Sequence, residues 1–324
     1  MKFFSKLVLL LSCVFIVSTA HAVELKLATL APQGTTLYKG LVAAADDIKA
    51  KTGGKVTVKI FAGGVQGDEK DVVRKIRYGQ LDGAALTGVG LGLIDPQIRV
   101  LELPFLFKNT QEVDKVYGAM KGYFKDAFNK KGFVLLGWAE VGFVKIFSNK
   151  PIRKRKDLKG MKMWTWEGDP LAKAMYEAMD VTPVPLAITD VLTSLQTNLI
   201  DGAYAPELGA IAFQWHTKAK YMTDVNLVNG TGGIVLSSKS WAKLGGQKKI
   251  VQQVIDVHSK KLVSQTRADN LESKQAIQGA GIQIVALEDA ALTELQGIGK
   301  EVRAKLTGKL YSQTLLDKVI GYLK

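Results

Sequence analysis

The chain has 324 residues, 44 Lys and Arg against 30 Asp and Glu, a formal net charge of +14 and one cysteine. That cysteine, Cys13, falls in a leader-like segment, so the remainder holds no disulfide, thiol nucleophile or thiolate metal site. A basic excess often accompanies nucleic-acid binding. Export argues against that, and the charge reads as a solvated lysine-rich surface or as steering toward an acidic partner or anionic lipid headgroups.

The leader begins with Lys2 and Lys6, continues with an apolar run from Leu7 to Val17, and ends in Ala20-His21-Ala22. This is the pattern of a secretory signal peptide cut after Ala22, too short to cross a bilayer. Cys13 in "LLSC" faintly resembles a lipidation site, but Leu11 suits one poorly and the cysteine comes early. Cleavage leaves 324 − 22 = 302 residues and a charge of (44 − 2) − 30 = +12. No later apolar run is long enough to span a membrane, so the product reads as a soluble periplasmic protein. A chain of this length commonly divides into two domains.

"ELKLATL" (24–30) and "KVTVKIF" (55–61) alternate as half-buried strands do. Between them "TTLYKGLVAAADDIKAKTGG" reads as a helix with a threonine near its start and Gly53-Gly54 stopping it. In "DEKDVVRKIRYG" (68–79), Val72, Val73 and Ile76 share one helical face. The β-α-β-α order predicts a mainly parallel sheet covered by helices. "FVLLGWAEVGFVKIF" (133–147) is strand-rich and leads into the basic "NKPIRKRKDLKG", read as an exposed loop, with docking to a permease or lipid surface as the second reading. From Gly160 the alternation resumes. Residues 248–278 contain neither Gly nor Pro and predict a long helix bracing two lobes. "GIQIVAL" (281–287) reads as a late strand before two terminal helices. The glycine-rich "FAGGVQGDE" and "NGTGGI" lack nucleotide-binding spacings and read as turns.

One repeat bears on domain organisation. "IRYGQLDGAAL" (76–86) and "LQTNLIDGAYA" (195–205) lie 119 residues apart. Each predicts a helix ending at a left-handed residue, Gly79 or Asn198, then an Asp-Gly-Ala entry into a strand. Two similar α/β domains side by side would produce this.

Catalytic and metal-binding patterns are sparse. His216 and His258 are the histidines beyond the leader, and neither sits in a metal-ligand spacing. Glu140, Glu167, Asp169 and Glu207 are carboxylates that a cleft could gather, but no nucleophile and base accompany them. No enzyme activity and no cofactor are expected. "GMKMWTWEGDP" (160–170) places Trp164 and Trp166 two apart, hence on one face of a strand. That face is either core or a ligand surface.

Five segments in order carry a family resemblance: "FAGGVQGDEKDVVRKIRYGQLDGA", "VLELPFLFKNTQEVDKV", "NKPIRKRKDLKGMKM", "VTPVPLAITDVLTSLQTNLIDG" and "WHTKAKYMTD". Together the chain resembles the extracytoplasmic solute receptors of TRAP transporters, the DctP-like family. The resemblance implies a two-lobed periplasmic-binding-protein-like α/β fold of type II-like form, with a long helix bridging the lobes. Lobe I would comprise 23–146 and 235–274, and lobe II 147–234 and 275–324. Such a receptor closes on a small-molecule solute and delivers it to membrane permease subunits; for this chain no nucleic-acid partner and no metal ligands are expected.

The departures from the family pattern bear on the ligand. Where the family has an arginine that grips an organic-acid carboxylate, this chain has Trp164. A second arginine position is Val144, and an asparagine position is Ala205, beside Tyr204. The expected wall is therefore Trp164, Val144, Ala205 and Tyr204, with Trp166, Phe143, Phe213 and Trp215 nearby and Glu140 and Glu207 as polar members. Trp138 is a further neighbour, more often core. A buried carboxylate without a partner is strongly disfavoured, so the expected solute is apolar or amphipathic, with a cation over the indole faces as the second class that such a wall suits. A divergent, arginine-lacking branch of the family works with a tetratricopeptide-repeat partner, and this chain looks similar to it. The alternatives are an organic-acid receptor using a cleft-bound metal, and a lipid-carrying or partner-binding module not coupled to a permease.

Overall fold

The computed structural model describes residues 22–324; apart from Ala22, the expected leader, with Cys13, lies outside them. The chain opens β1 (Val23–Thr29), α1 (Thr36–Lys51), β2 (Val56–Phe61), α2 (Glu69–Arg77), β3 (Gly83–Thr87), α3 (Gly88–Ile94). A 3-10 turn (Pro96–Glu102) and α4 (Thr110–Lys130) lead to β4 (Phe133–Phe143) and β5 (Lys145–Ser148). Then come α5 (Arg155–Leu158), β6 (Lys162–Thr165), α6 (Pro170–Ala178), β7 (Thr182–Pro185), α7 (Val191–Gln196), β8 (Gly202–Ala205), α8 (Glu207–Ala212) and β9 (Tyr221–Thr223). The chain closes with β10 (Asn229–Ser237), α9 (Ser238–Lys243), α10 (Lys248–Gly279), β11 (Gln283–Val285), α11 (Asp289–Leu306) and α12 (Gln313–Gly321).

Local chemistry accounts for the boundaries. The Thr35 side chain accepts the Tyr38 N–H at the start of α1, and Lys49 and Lys51 sit at its negative end. Val72, Val73 and Ile76 bury one face of α2. "FAGGVQGDE" is a turn, with Gly63, Gly64 and Gly67 at positive φ.

The strands form two sheets, ordered β2-β1-β3-β10-β4 and β11-β9-β5-β8-β6-β7. Both are mixed rather than mainly parallel. In the first, β10 runs antiparallel to β3 and β4; in the second, β5 runs antiparallel to β8 and β9. The reason is that both strands belong to segments crossing between the sheets. One crossing is at Val144. The other, Leu227–Val228, hydrogen-bonds to it through Val144 N to Val228 O (2.9 Å) and Leu227 N to Val144 O (3.1 Å). The boundaries expected at 146/147 and 234/235 fall inside β5 and β10. The third link is α10, which packs on α1 and β4 of the first lobe and on α8 of the second. Of the terminal helices, α11 lies on α6, and α12 returns to the 3-10 turn of the first lobe.

"NGTGGI" is not a turn but the start of β10. Its glycines serve close strand contact: a Cβ on Gly232 would stand 3.2 Å from Ala139 Cβ, and one on Gly233 3.0 Å from Leu135. The β10–β4 register shifts at Gly230/Thr231, the bulge that strand glycines often mark.

The repeat occupies equivalent places in the two sheets. Gly79 and Asn198 both have left-handed backbone, φ +76° and +57°. Asp82 bonds to Lys26 twice, N–H to carbonyl at 2.9 Å and carboxylate to N–H at 2.9 Å. Asp201 does the same to Lys162 at 2.7 and 2.8 Å. The next residue is glycine in both because a neighbouring carbonyl fills the place of a Cβ, that of Val235 for Gly83 and of Phe147 for Gly202. A two-point Asp clamp thus ties the incoming strand to its neighbour in each lobe.

Candidate functional site

A cavity of about 250 Å³ lies between the sheets. It sits beyond the carboxyl ends of β1, β3, β6 and β8, the usual ligand position in α/β folds. The first lobe contributes Leu30 and Pro32 after β1, Thr87 and Val89 where β3 meets α3, and the β4–β10 surface around Glu140 and Thr231. The second contributes Trp164 and Trp166, Leu171 and Met175 of α6 with Met179 just after it, and Tyr204, Phe213 and Trp215. Val144 lines it from the crossing segment.

Trp164 lies at the centre of an aromatic group. Its ring centroid is 5.1 Å from Trp166, 5.0 Å from Tyr204 and 5.3 Å from Trp215. Phe213 stacks on Trp215 at 5.8 Å. The Trp164 indole N–H donates to Leu186 O (3.0 Å), and Tyr176 Oη donates to Trp164 O (2.6 Å). Trp164 is only 1 % exposed. The two alternatives for the tryptophan face therefore merge: Trp164 is core to the second lobe and also backs the cavity, while the half-buried rings of Tyr204 and Phe213 belong to the same wall.

The sequence-predicted residues Trp164, Trp166, Val144, Tyr204, Ala205, Glu140, Phe213 and Trp215 all line this cavity. Phe143 and Glu207 do not. Phe143 packs against the larger hydrophobic core. Glu207 is buried at the start of α8 beside the charges of Lys145, Asp224 and Lys274, and burial pushes its carboxyl up. Lys145 is paired with Asp224 (2.8 Å) and Asn226 (2.7 Å), outside the cavity wall. Trp138 packs on Tyr117 and Phe124 in the first lobe. Of the other carboxylates, Glu167 is exposed and pairs with Lys70, whereas Asp169 is buried in the cavity wall. Among the described residues no group of three or more His, Cys, Asp or Glu is arranged to hold a metal.

Charge in the cavity is organised by Asp169 and Glu140, which the sequence pointed to, together with Arg99, Glu102, Glu69 and Arg267, which sequence reasoning missed. Arg99, from the 3-10 turn, is buried with Asp169 and Glu102 around it. Its Nη1 and Nη2 each lie 3.1 Å from a different Asp169 oxygen, and Nε is 2.8 Å from Glu102 Oε2. Burial opposes the charge on Arg99, but Asp169 and then Glu102 outweigh it, so the guanidinium is held above its ordinary range. Glu102 is pushed up by burial, with Arg99 and the Thr231 N–H (2.7 Å) working against that shift. Glu69, at the start of α2, accepts from Thr87 N, Thr87 Oγ1 and Gly90 N, each at 2.6 Å. Burial outweighs those bonds and raises its carboxyl to about 7. Glu140 is bound by Arg267, which also grips Asp114. A signal for Arg99 and Glu102 existed in "QIRVLELPF": opposite charges three apart in an otherwise apolar stretch.

The model of the DctP family, bacterial extracellular solute-binding protein family 7, matches residues 27–309. The chain belongs to the DctP family. This DctP protein is 27% identical over 283 residues to a solute-binding protein of Chromohalobacter salexigens, covering 86% of this chain and 84% of the relative. It is 24% identical over 266 residues to the 2,3-diketo-L-gulonate-binding periplasmic protein of Escherichia coli, covering 80% and 79%. In fold it matches the sugar acid binding protein of Advenella mimigardefordensis in complex with galactonate, with TM-score 0.88, 19% identity, and 93% and 97% of the two chains covered. No helix among the described residues is long and apolar enough to cross a membrane.

Proposed function

We propose that this chain is the periplasmic receptor of a TRAP-type secondary transporter, and that it traps a small uncharged solute, apolar or amphipathic, between its lobes. It then hands that solute to membrane permease subunits. The signal peptide cut after Ala22 accounts for its export. The lobes meet at Val144, Leu227–Val228 and α10 and close about those links. A tetratricopeptide-repeat partner belongs to the same reading.

The observation that carries the ligand class is the state of the cavity's cation. Among the described residues lining the cavity, Arg99 is the sole Lys or Arg, and two buried carboxylates already hold it. A solute acid entering there meets Glu69, Glu102, Glu140 and Asp169 and no unpaired positive group. Burying an unpaired carboxylate is costly, whereas an uncharged solute gains from contact with the aromatic and methionine wall. A cavity of about 150 Å³ takes one benzene ring, so about 250 Å³ suits a ring with a short chain or a comparable aliphatic molecule. Galactonate, the ligand of the Advenella protein, separates the readings by isothermal titration. No saturable heat at millimolar galactonate is expected; micromolar binding would replace this proposal with an acid receptor.

A further inference from the structure

Arg99 and Asp169 approach the cavity from opposite sides. Arg99 stands on the 3-10 turn that packs against the first sheet, and Asp169 caps α6 where β6 leaves the second. Their side chains are 6 % and 3 % exposed. The contact is two-pronged, with one Asp169 oxygen on each terminal nitrogen. That is how an arginine grips a free carboxylate. Neither acid is free to swing away: Asp169 Oδ1 also accepts Leu171 N (2.9 Å), and Glu102 Oε1 accepts Thr231 N (2.7 Å).

We propose that Asp169 is a built-in carboxylate, occupying the fork of Arg99 so that one ion pair both draws the lobes together and keeps acid solutes out. This rests on the uncharged-solute reading above and makes Asp169 the residue that sets it. An intramolecular partner competes at an effective concentration of about millimolar or higher, so a dilute solute acid cannot displace it. An uncharged solute has no need to.

The test uses Asp169→Asn, which keeps the side-chain size and a good helix cap but surrenders the ion pair. The probes are benzoate, its uncharged near-isostere acetophenone, and galactonate. Wild-type protein is expected to bind acetophenone in preference to benzoate. Asp169→Asn is expected to gain about tenfold or more in benzoate affinity, and the double variant Arg99→Met with Asp169→Asn to lose that gain. Small-angle scattering of the solute-free protein should show a larger radius of gyration for Asp169→Asn, shrinking on benzoate. Equal benzoate affinity and equal radius in wild type and Asp169→Asn would overturn the proposal. So would an equal gain in the double variant, because the effect would then come from lost negative charge rather than a freed Arg99. Tight galactonate binding by wild type would sink the uncharged-solute reading itself. Wild-type rejection of galactonate without a gain in Asp169→Asn would sink only the built-in carboxylate. Asp169→Ser, also a helix cap, carries the same expectations if the asparagine variant misfolds.

Discussion

Replacing Trp164 with phenylalanine tests whether one side chain both holds the second lobe and backs the cavity. Three energetic consequences are expected. The Leu186 carbonyl loses its 3.0 Å indole partner, worth about 1 kcal/mol. The smaller ring loses transfer free energy of about 1 kcal/mol. It also leaves about 40 Å³ of space among Trp166, Tyr204 and Trp215, adding about 1 kcal/mol at the usual cavity coefficient. Together they amount to about 3 kcal/mol, a fall in Tm of about 5 °C for a chain of this size. The assay is calorimetric melting with and without the uncharged probe acetophenone. The variant should melt lower and gain less from the solute, since the wall that contacts it has slackened. A variant that melts within about 2 °C of wild type and keeps the solute's full stabilisation would refute the role given to Trp164.

Four other outcomes are expected. Trp164→Arg should weaken binding of acetophenone by calorimetric titration, and unchanged affinity would count against this wall. Glu69 has its carboxyl raised from 4.5 to about 7 by burial, so the folded form holds a proton that the unfolded form has released. Its contribution is full below the unfolded value and declines as pH rises through about 7, by about 3 kcal/mol in all. Denaturant titrations between pH 4 and 8 should show a slope steeper by that amount in wild type than in Glu69→Gln, since Glu102 and Glu207, also pushed up by burial, contribute equally to both. Arg267→Met leaves Glu140, whose side chain is 3 % exposed, buried without its partner, and should cost about 3–5 kcal/mol in the same titration. Gly83→Ala and Gly202→Ala each drive a methyl group into a backbone carbonyl of the adjacent strand, which cannot rotate away; each should cost about 3 kcal/mol or more, and tolerance of either would contradict the shared role of the repeat.

Much of the fold was legible because its signals are local. Alternation marks β1 and β2, a three-four spacing marks α2, and an unbroken run without Gly or Pro marks α10. The Asp-Gly-Ala repeat was readable because the backbone clamp and the missing Cβ impose the same residues in both lobes. "NGTGGI" misled because glycine signals a turn locally, whereas here tertiary contact with Ala139 and Leu135 demands it in a strand. In the site, the aromatic wall was legible through Trp164 and Trp166. The Arg99–Asp169 pair was not, since 70 residues and two lobes separate its members. Phe143 and Glu207 lie next to wall residues in sequence, but strand alternation and the turn into α8 carry their side chains elsewhere.

Whether the cleft holds an uncharged solute is decided by the molecule the protein itself carries. Native mass spectrometry of the protein purified without refolding, followed by organic extraction, identifies that molecule. An uncharged apolar or amphipathic compound of a size to fill about 250 Å³ is expected. A sugar acid or other small carboxylate, alone or with a divalent metal, would contradict it.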